Sequence, residues 1–154
     1  MTSETESRVA SAERVVRATP ATIFELIADP AQQPRWDGND NLASAATGQR
    51  VHAVGDTFDM TLTKDGAVRR NHIVEFEEGR LIAWLPSEIG SPPPGHLWRW
   101  ELKPQADGTT LVRHTYDWTD LTHERRMNRA RRTTSEALTA SIERLAAIAE
   151  GASG

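Results

Sequence analysis

HLWRWELKPQADGTTLVRHTYDW, residues 96–118, is the stretch on which the fold turns. His96, Trp98, Trp100 and Leu102 occupy alternate positions, with Arg99, Glu101 and Lys103 between them. Beyond an Ala106-Asp107-Gly108 turn, Val112, His114, Tyr116 and Trp118 alternate again. Strand side chains alternate between faces, so one face of this hairpin collects tryptophan, histidine and tyrosine while the other is largely charged. A purely apolar face would be core. A face of aromatic rings with polar edges points instead to the wall of a pocket for a small molecule.

The turn fixes the register. A two-residue Asp107-Gly108 loop would set Leu102 against Arg113 and mix the faces. A three-residue loop with Gly108 in the left-handed conformation pairs Gln105 with Thr109. Leu102 then opposes Val112, Trp100 opposes His114, Trp98 opposes Tyr116 and His96 opposes Trp118. Opposed residues share a face, so only the odd loop keeps both patterns consistent.

Working outward, a strand is expected from about Val9 to Arg17. Thr19-Pro20 then starts a helix carrying Ile23, Phe24 and Ile27, which stops before Asp29-Pro30. A second short helix covers Ala31 to Trp36, with Trp36 closing the end of a cavity or covering the core. Asp37-Gly38-Asn39-Asp40-Asn41 is turn-forming, and its carboxylates are read as capping groups. A weak strand follows at Leu42 to Ala46, and Val51 to Val54 runs into a Gly55-Asp56 turn. Phe58, Met60 and Leu62 alternate with polar residues as a half-buried strand. After Lys64-Asp65-Gly66 the next strand spans 68–77, with His72, Val74 and Phe76 on one face.

For Leu81 to Leu85 the facing is open. A two-residue turn at Glu78-Gly79 puts Leu81 and Ala83 inward, and a bulged one puts Ile82 and Trp84 inward. The cost of an exposed Trp favours the second. Pro86 to Gly95, with prolines at 92–94, reads as a stiff loop. Thr122 to Glu150 has no internal Gly or Pro and reads as one long helix. Its stripe of Met127, Ala130, Thr134, Ala137, Leu138, Ser141, Ile142, Leu145 and Ile148 is small at first and bulky later. Laid on the sheet, such a helix would stand off near Ala130 and Thr134 and leave space there.

The chain has 154 residues, a net charge of −4 and no cysteine. That length fits one domain with a core and a cavity, here residues 8–150 between tails at 1–7 and 151–154. The acidic balance argues against a nucleic-acid module, and neither disulfides nor a thiol nucleophile is available. MTSETESR lacks the apolar segment of a signal peptide, and no apolar run approaches a membrane span. The expectation is a cytoplasmic monomer or homodimer with a small hydrophobic ligand, no nucleic acid and no membrane insertion.

This order of elements resembles the START-like helix-grip (SRPBCC) superfamily, in its polyketide cyclase/dehydrase and lipid-transport branch. The resemblance is carried by ATPATIFELIADPAQQPRWD (18–37), VGDTF (54–58), NHIVEFEEGRLIAW (71–84), GHLWRWEL (95–102) and RHTYDW (113–118). It implies an α+β helix-grip fold: a curved antiparallel sheet of about seven strands around a long C-terminal helix, two short helices after the first strand, and a cavity between. It hands over no catalytic set.

The candidate ligand-binding residues are therefore Phe58, Met60, Trp84, His96, Trp98, Trp100, Trp118, Met127, Ala130 and Thr134. A cyclase or dehydratase would instead use His72, His114 or Tyr116 as acid/base groups, with Arg70 as an oxyanion partner if it turns inward. A third reading is an interaction module of the chaperone-activator or stress type. No cofactor is expected, and three histidines holding a metal is set below ordinary hydrogen bonding. Arg125, Arg126, Arg129, Arg131 and Arg132 crowd the start of the long helix. They are either solvated and paired, or one or two of them draw an anionic group to the cavity mouth.

Overall fold

The computed structural model describes residues 7–38 and 41–152. Strand β1 (Val9–Val16) leads into helix α1 (Pro20–Ala28) and a 3-10 helix (Pro30–Arg35). Six strands follow: β2 (Leu42–Ser44), β3 (Thr57–Leu62), β4 (Val68–Glu77), β5 (Leu81–Glu88), β6 (Leu97–Pro104) and β7 (Thr110–Asp117). Helices α2 (Glu124–Arg131) and α3 (Ser135–Ala152) close the chain. The strands form one antiparallel sheet in the order β1-β7-β6-β5-β4-β3-β2. This is the α+β helix-grip architecture.

Local chemistry accounts for the entry. Thr19 caps α1 by accepting from the Thr22 amide at 3.3 Å, and Pro20 occupies the first turn where no amide partner is needed. Ile23, Phe24, Leu26 and Ile27 are buried against the sheet and α3. The Trp36 indole donates to the Leu26 carbonyl at 2.7 Å, tying the end of the 3-10 helix back onto α1. The Asp37 carboxylate accepts from the Asn41 and Leu42 amides at 2.7 and 3.0 Å, the capping role expected of it. Asn39 and Asp40, residues 1–6 of the tail expected at 1–7, and residues 153–154 of the tail expected at 151–154 lie outside the described residues.

The aromatic hairpin has the expected register: Trp100 faces His114, Trp98 faces Tyr116 and Leu102 faces Val112. Gly108 sits at φ 85°, the left-handed position of the loop. The ladder ends at Leu97 and Asp117, so the expected His96–Trp118 pair lies just past it. Gly95 ends the preceding loop at φ 122°, and any Cβ there would collide with the Asp120 carbonyl.

Three expectations are corrected and one open facing is settled. First, β4 carries a bulge: the register with β5 shifts between Ile73 and Glu75, and Val74 is left 38% exposed. A bulge breaks the period of two. Asn71 and Ile73 point inward before it and Phe76 packs against the core after it, while His72 turns outward. Secondly, Arg70, whose facing the sequence left open, also faces out and pairs with Asp59 at 2.9 Å. Thirdly, β5 continues through Pro86 and Ser87 to Glu88, where a loop was expected.

The fourth point is a correction to the terminal helix, which is broken. Arg132 and Thr133 donate to carbonyls three residues back, Arg129 and Ala130, at 3.1 and 3.0 Å, tightening the end of α2. Thr133, Thr134 and Ser135 follow in a row, residues whose hydroxyls compete for backbone partners. The Thr133 hydroxyl donates to the Arg129 carbonyl at 3.3 Å. Helix α3 then runs to Ala152, past the start expected for a terminal tail.

The core lies between the sheet, α1 and α3, with Ile23, Ile27, Ile142 and Leu145 fully buried. Burial of such side chains contributes about 1.5–3 kcal/mol each. A smaller cluster of Tyr116, Trp118, Leu121, Ala130 and Leu138 sits under α2.

Candidate functional site

Between the inner face of the sheet, the side chains of Trp36, Asp37, Asn41 and Leu42, and the α2–α3 junction lies a cavity of about 370 Å³. This is near the lower end for ligand pockets, which run from roughly 300 to 1,000 Å³. Trp84 from β5, Trp98 and Trp100 from β6, and His114 and Tyr116 from β7 form one wall. Met60 and Leu62 from β3 and Leu42 from β2 form another, and Trp36 closes one end. Four of the chain's five tryptophans thus border this space.

The wall is a stack. The His114 ring lies between two indoles, 3.7 Å from Trp100 and 5.6 Å from Trp98 between centroids, with interplanar angles of 12° and 18°. Trp98 also leans on Tyr116 at 4.3 Å, and Trp36 meets Trp100 edge-on at 5.1 Å. Such pairs hold their rings in fixed orientations.

Burial sets the protonation states. The His114 ring bonds the Arg99 carbonyl at 3.0 Å through Nδ1, which must therefore carry the proton, leaving Nε2 bare. Loss of solvent pushes its pKa down to about 3, only partly offset by that bond. His96 is pushed down to about 4, first by burial and then by Arg126, Arg129 and Arg69. Burial raises the Tyr116 phenol to about 12 against the opposing pull of Arg129 and Arg126. Both histidines are neutral and the tyrosine is protonated at pH 7. Two buried polar atoms on these walls, His96 Nδ1 and Trp100 Nε1, have no hydrogen-bond partner among the described residues.

Of the candidate residues, Met60, Trp84, His96, Trp98, Trp100, His114 and Tyr116 line the cavity, and the others do not. Phe58 packs behind Trp84, edge-on at 5.4 Å. Trp118 belongs to the smaller cluster, 3% exposed, with Arg8 and Arg131 over its ring. Met127 and Ala130 face the same cluster, and Thr134 is exposed in the break between helices. The rotation of α2 presents Arg126 and Arg129 to the cavity instead, followed by Arg132 and Thr133. His72 lies on the other side of the sheet and donates from Nε2 to Ser87 Oγ at 2.9 Å, since that hydroxyl itself donates to the Arg70 carbonyl. It is thereby separated from His96 and His114, so the three imidazoles do not converge.

Arg69 and Asn71 line the cavity without having been expected there. Their signal was the parity of β4, hidden by the bulge at Val74. Ser141 and Gln33 also contribute, the first from the helix stripe read in the sequence and the second from the 3-10 helix.

A model of the family described as polyketide cyclase/dehydrase and lipid transport matches residues 7–150. Two uncharacterized proteins of Mycobacterium tuberculosis, Rv0088 and MT0096, are 27% and 29% identical over 105 residues. The matched segment is 67% of this chain and 44% of each relative, so the chain aligns with less than half of their length. Among solved structures, protein NE0264 of Nitrosomonas europaea superposes with a TM-score of 0.70 at 14% identity, covering 94% of this chain and 96% of that one. The Aha1 dimer from Colwellia psychrerythraea gives 0.62 at 14% identity, covering 92% and 96%. These likenesses show the START-like fold. No helix among the described residues is long and apolar enough to cross a membrane.

Proposed function

The chain belongs to the polyketide cyclase/dehydrase and lipid transport family, and from that premise we propose that it binds a small hydrophobic molecule, aromatic, polyketide-like or lipid-like, between the sheet and the C-terminal helices. The observation that carries this reading is the tryptophan-walled cavity, where Trp84, Trp98 and Trp100 offer ring surface to a flat apolar body. His96 Nδ1 and Trp100 Nε1 are the unsatisfied polar positions beside it. A buried polar atom without a partner is costly, and a ligand's polar group would relieve that cost.

Binding without turnover fits the site better than acid/base catalysis. A general acid or base works best with a pKa near the working pH. His114 and His96 lie well below that range and Tyr116 well above it. The volume also favours a compact ligand over a two-chain lipid.

Isothermal titration with 2-naphthamide, a flat uncharged bicyclic probe, tests the reading. The expected result is saturable 1:1 binding that Leu42→Trp, which fills the space between β2 and the rings, weakens at least tenfold. Absence of saturable heat at millimolar probe, or equal binding by Leu42→Trp, would overturn it.

A further inference from the structure

Although the chain carries a net charge of −4, the rim of its cavity is basic. Arg69 on β4 stands directly across from Glu88 on β5, and Glu88 bonds Arg126 of α2 at 3.0 Å. Arg129, one turn further along α2, borders the same opening. Among the described residues, three guanidiniums thus gather at this rim, and one of them is paired with a carboxylate. Glu88 is itself more than half exposed, which weakens its attraction in solvent. Asp37, the acidic residue on the lining, has its carboxylate occupied by the Asn41 and Leu42 amides.

The three cations crowd one another. Arg69 is held below its usual pKa by burial and then by Arg126, with Arg129 adding to the effect and Glu88 opposing it. All three also bear on His96, whose Nδ1 is buried and without a partner beside them. Like charges gathered at the mouth of an apolar cavity oppose folding unless an anion joins them. Guanidiniums suit oxyanions because their planar forks match two oxygens at once.

We propose that this rim is an oxyanion subsite, so that the ligand carries one carboxylate or phosphate group held by Arg69, Arg126 and Arg129 on an apolar body stacked among the tryptophans. The subsite rests on the reading that the cavity holds a small hydrophobic molecule. It adds a polarity to that ligand: apolar end inward against Trp84 and Trp100, anionic end at the α2 rim. His96 in its Nδ1–H tautomer supplies a further, uncharged donor on the inner side of the arginines.

The test compares three probes of one shape by isothermal titration: 2-naphthoate, 2-naphthyl phosphate and neutral 2-naphthamide. At least one oxyanion should bind about tenfold or more tightly than the amide, the scale of one charge-assisted hydrogen bond. Whichever anion binds tighter identifies the head group. Arg129→Gln, at an exposed position, should shrink the anion-to-amide ratio several-fold, and Arg69→Gln should do the same. Added salt should shrink it as well. If the amide binds as tightly as both anions, or the ratio survives both substitutions, the subsite is refuted while the cavity reading stands. If none of the three binds, the cavity reading falls and the subsite falls with it.

Discussion

The imidazole of His114 lies almost flat on the indole of Trp100, ring centroids 3.7 Å apart and planes 12° from parallel. This contact joins adjacent strands at directly opposed positions and takes the histidine out of water. Its polar anchor among the described residues is the Arg99 carbonyl, so the ring serves as a packed, neutral surface.

That neutrality makes the protein acid-sensitive. Above about pH 6.5 both folded and unfolded chains carry neutral histidine. As pH falls below that value the unfolded chain takes up protons that His114 and His96 refuse until about 3 and about 4. Stability is therefore fully present above pH 6.5 and lost on acidification, at up to about 1.4 kcal/mol per pH unit for each histidine. Denaturant midpoints measured from pH 7 to 4 should fall steadily, and His114→Phe should flatten the slope. An unchanged slope in that variant would mean that His114 takes up its proton as readily in the folded protein as in the unfolded chain.

His72 is predicted to matter little for the ligand. It lies on the outer face and bonds Ser87, so His72→Ala should leave probe affinity within about twofold while costing about 0.5–1.5 kcal/mol of stability, the worth of one hydrogen bond. A tenfold loss of affinity at unchanged stability would place the ring in the cavity and contradict the bulge at Val74.

Gly38 sits where the chain that follows Trp36 and Asp37 touches α3. Its amide donates to Ser141 Oγ at 2.9 Å, and an added Cβ would come within 2.6 Å of the Ser141 backbone nitrogen. Gly38→Ala should thus cost about 1–3 kcal/mol through overpacking and loosen the cavity edge that Asp37 and Ser141 share. Chemical denaturation reads the first effect and probe titration the second. A wild-type midpoint would show that this segment does not press on α3.

Much of this arrangement was legible in the sequence wherever side-chain parity ran unbroken. Trp98, Trp100, His114 and Tyr116 could be paired because the three-residue turn at 106–108 admits one register that keeps apolar residues together. The Thr19-Pro20 start of α1 was equally plain, since capping is local chemistry. The bulge at Val74 was not legible, as a single extra residue leaves no mark in composition. Counting across it turned His72 inward and hid Arg69 and Asn71. The α2–α3 break lay in Thr133-Thr134-Ser135, a weakness of propensity that the surrounding helix formers obscured. There the turn of α2 set Arg126 and Arg129, rather than Met127 and Ala130, against the open space.

The central claim is that the tryptophan-walled cavity holds a small molecule. Native mass spectrometry of the protein purified without refolding from its own host tests it most directly. The account predicts a stoichiometric adduct of a few hundred daltons that is released on denaturation and is depleted in Leu42→Trp. A bare polypeptide mass under conditions that retain 2-naphthamide on the wild-type protein would contradict occupancy in the host. A bare mass together with no retention of that probe would contradict the binding site itself.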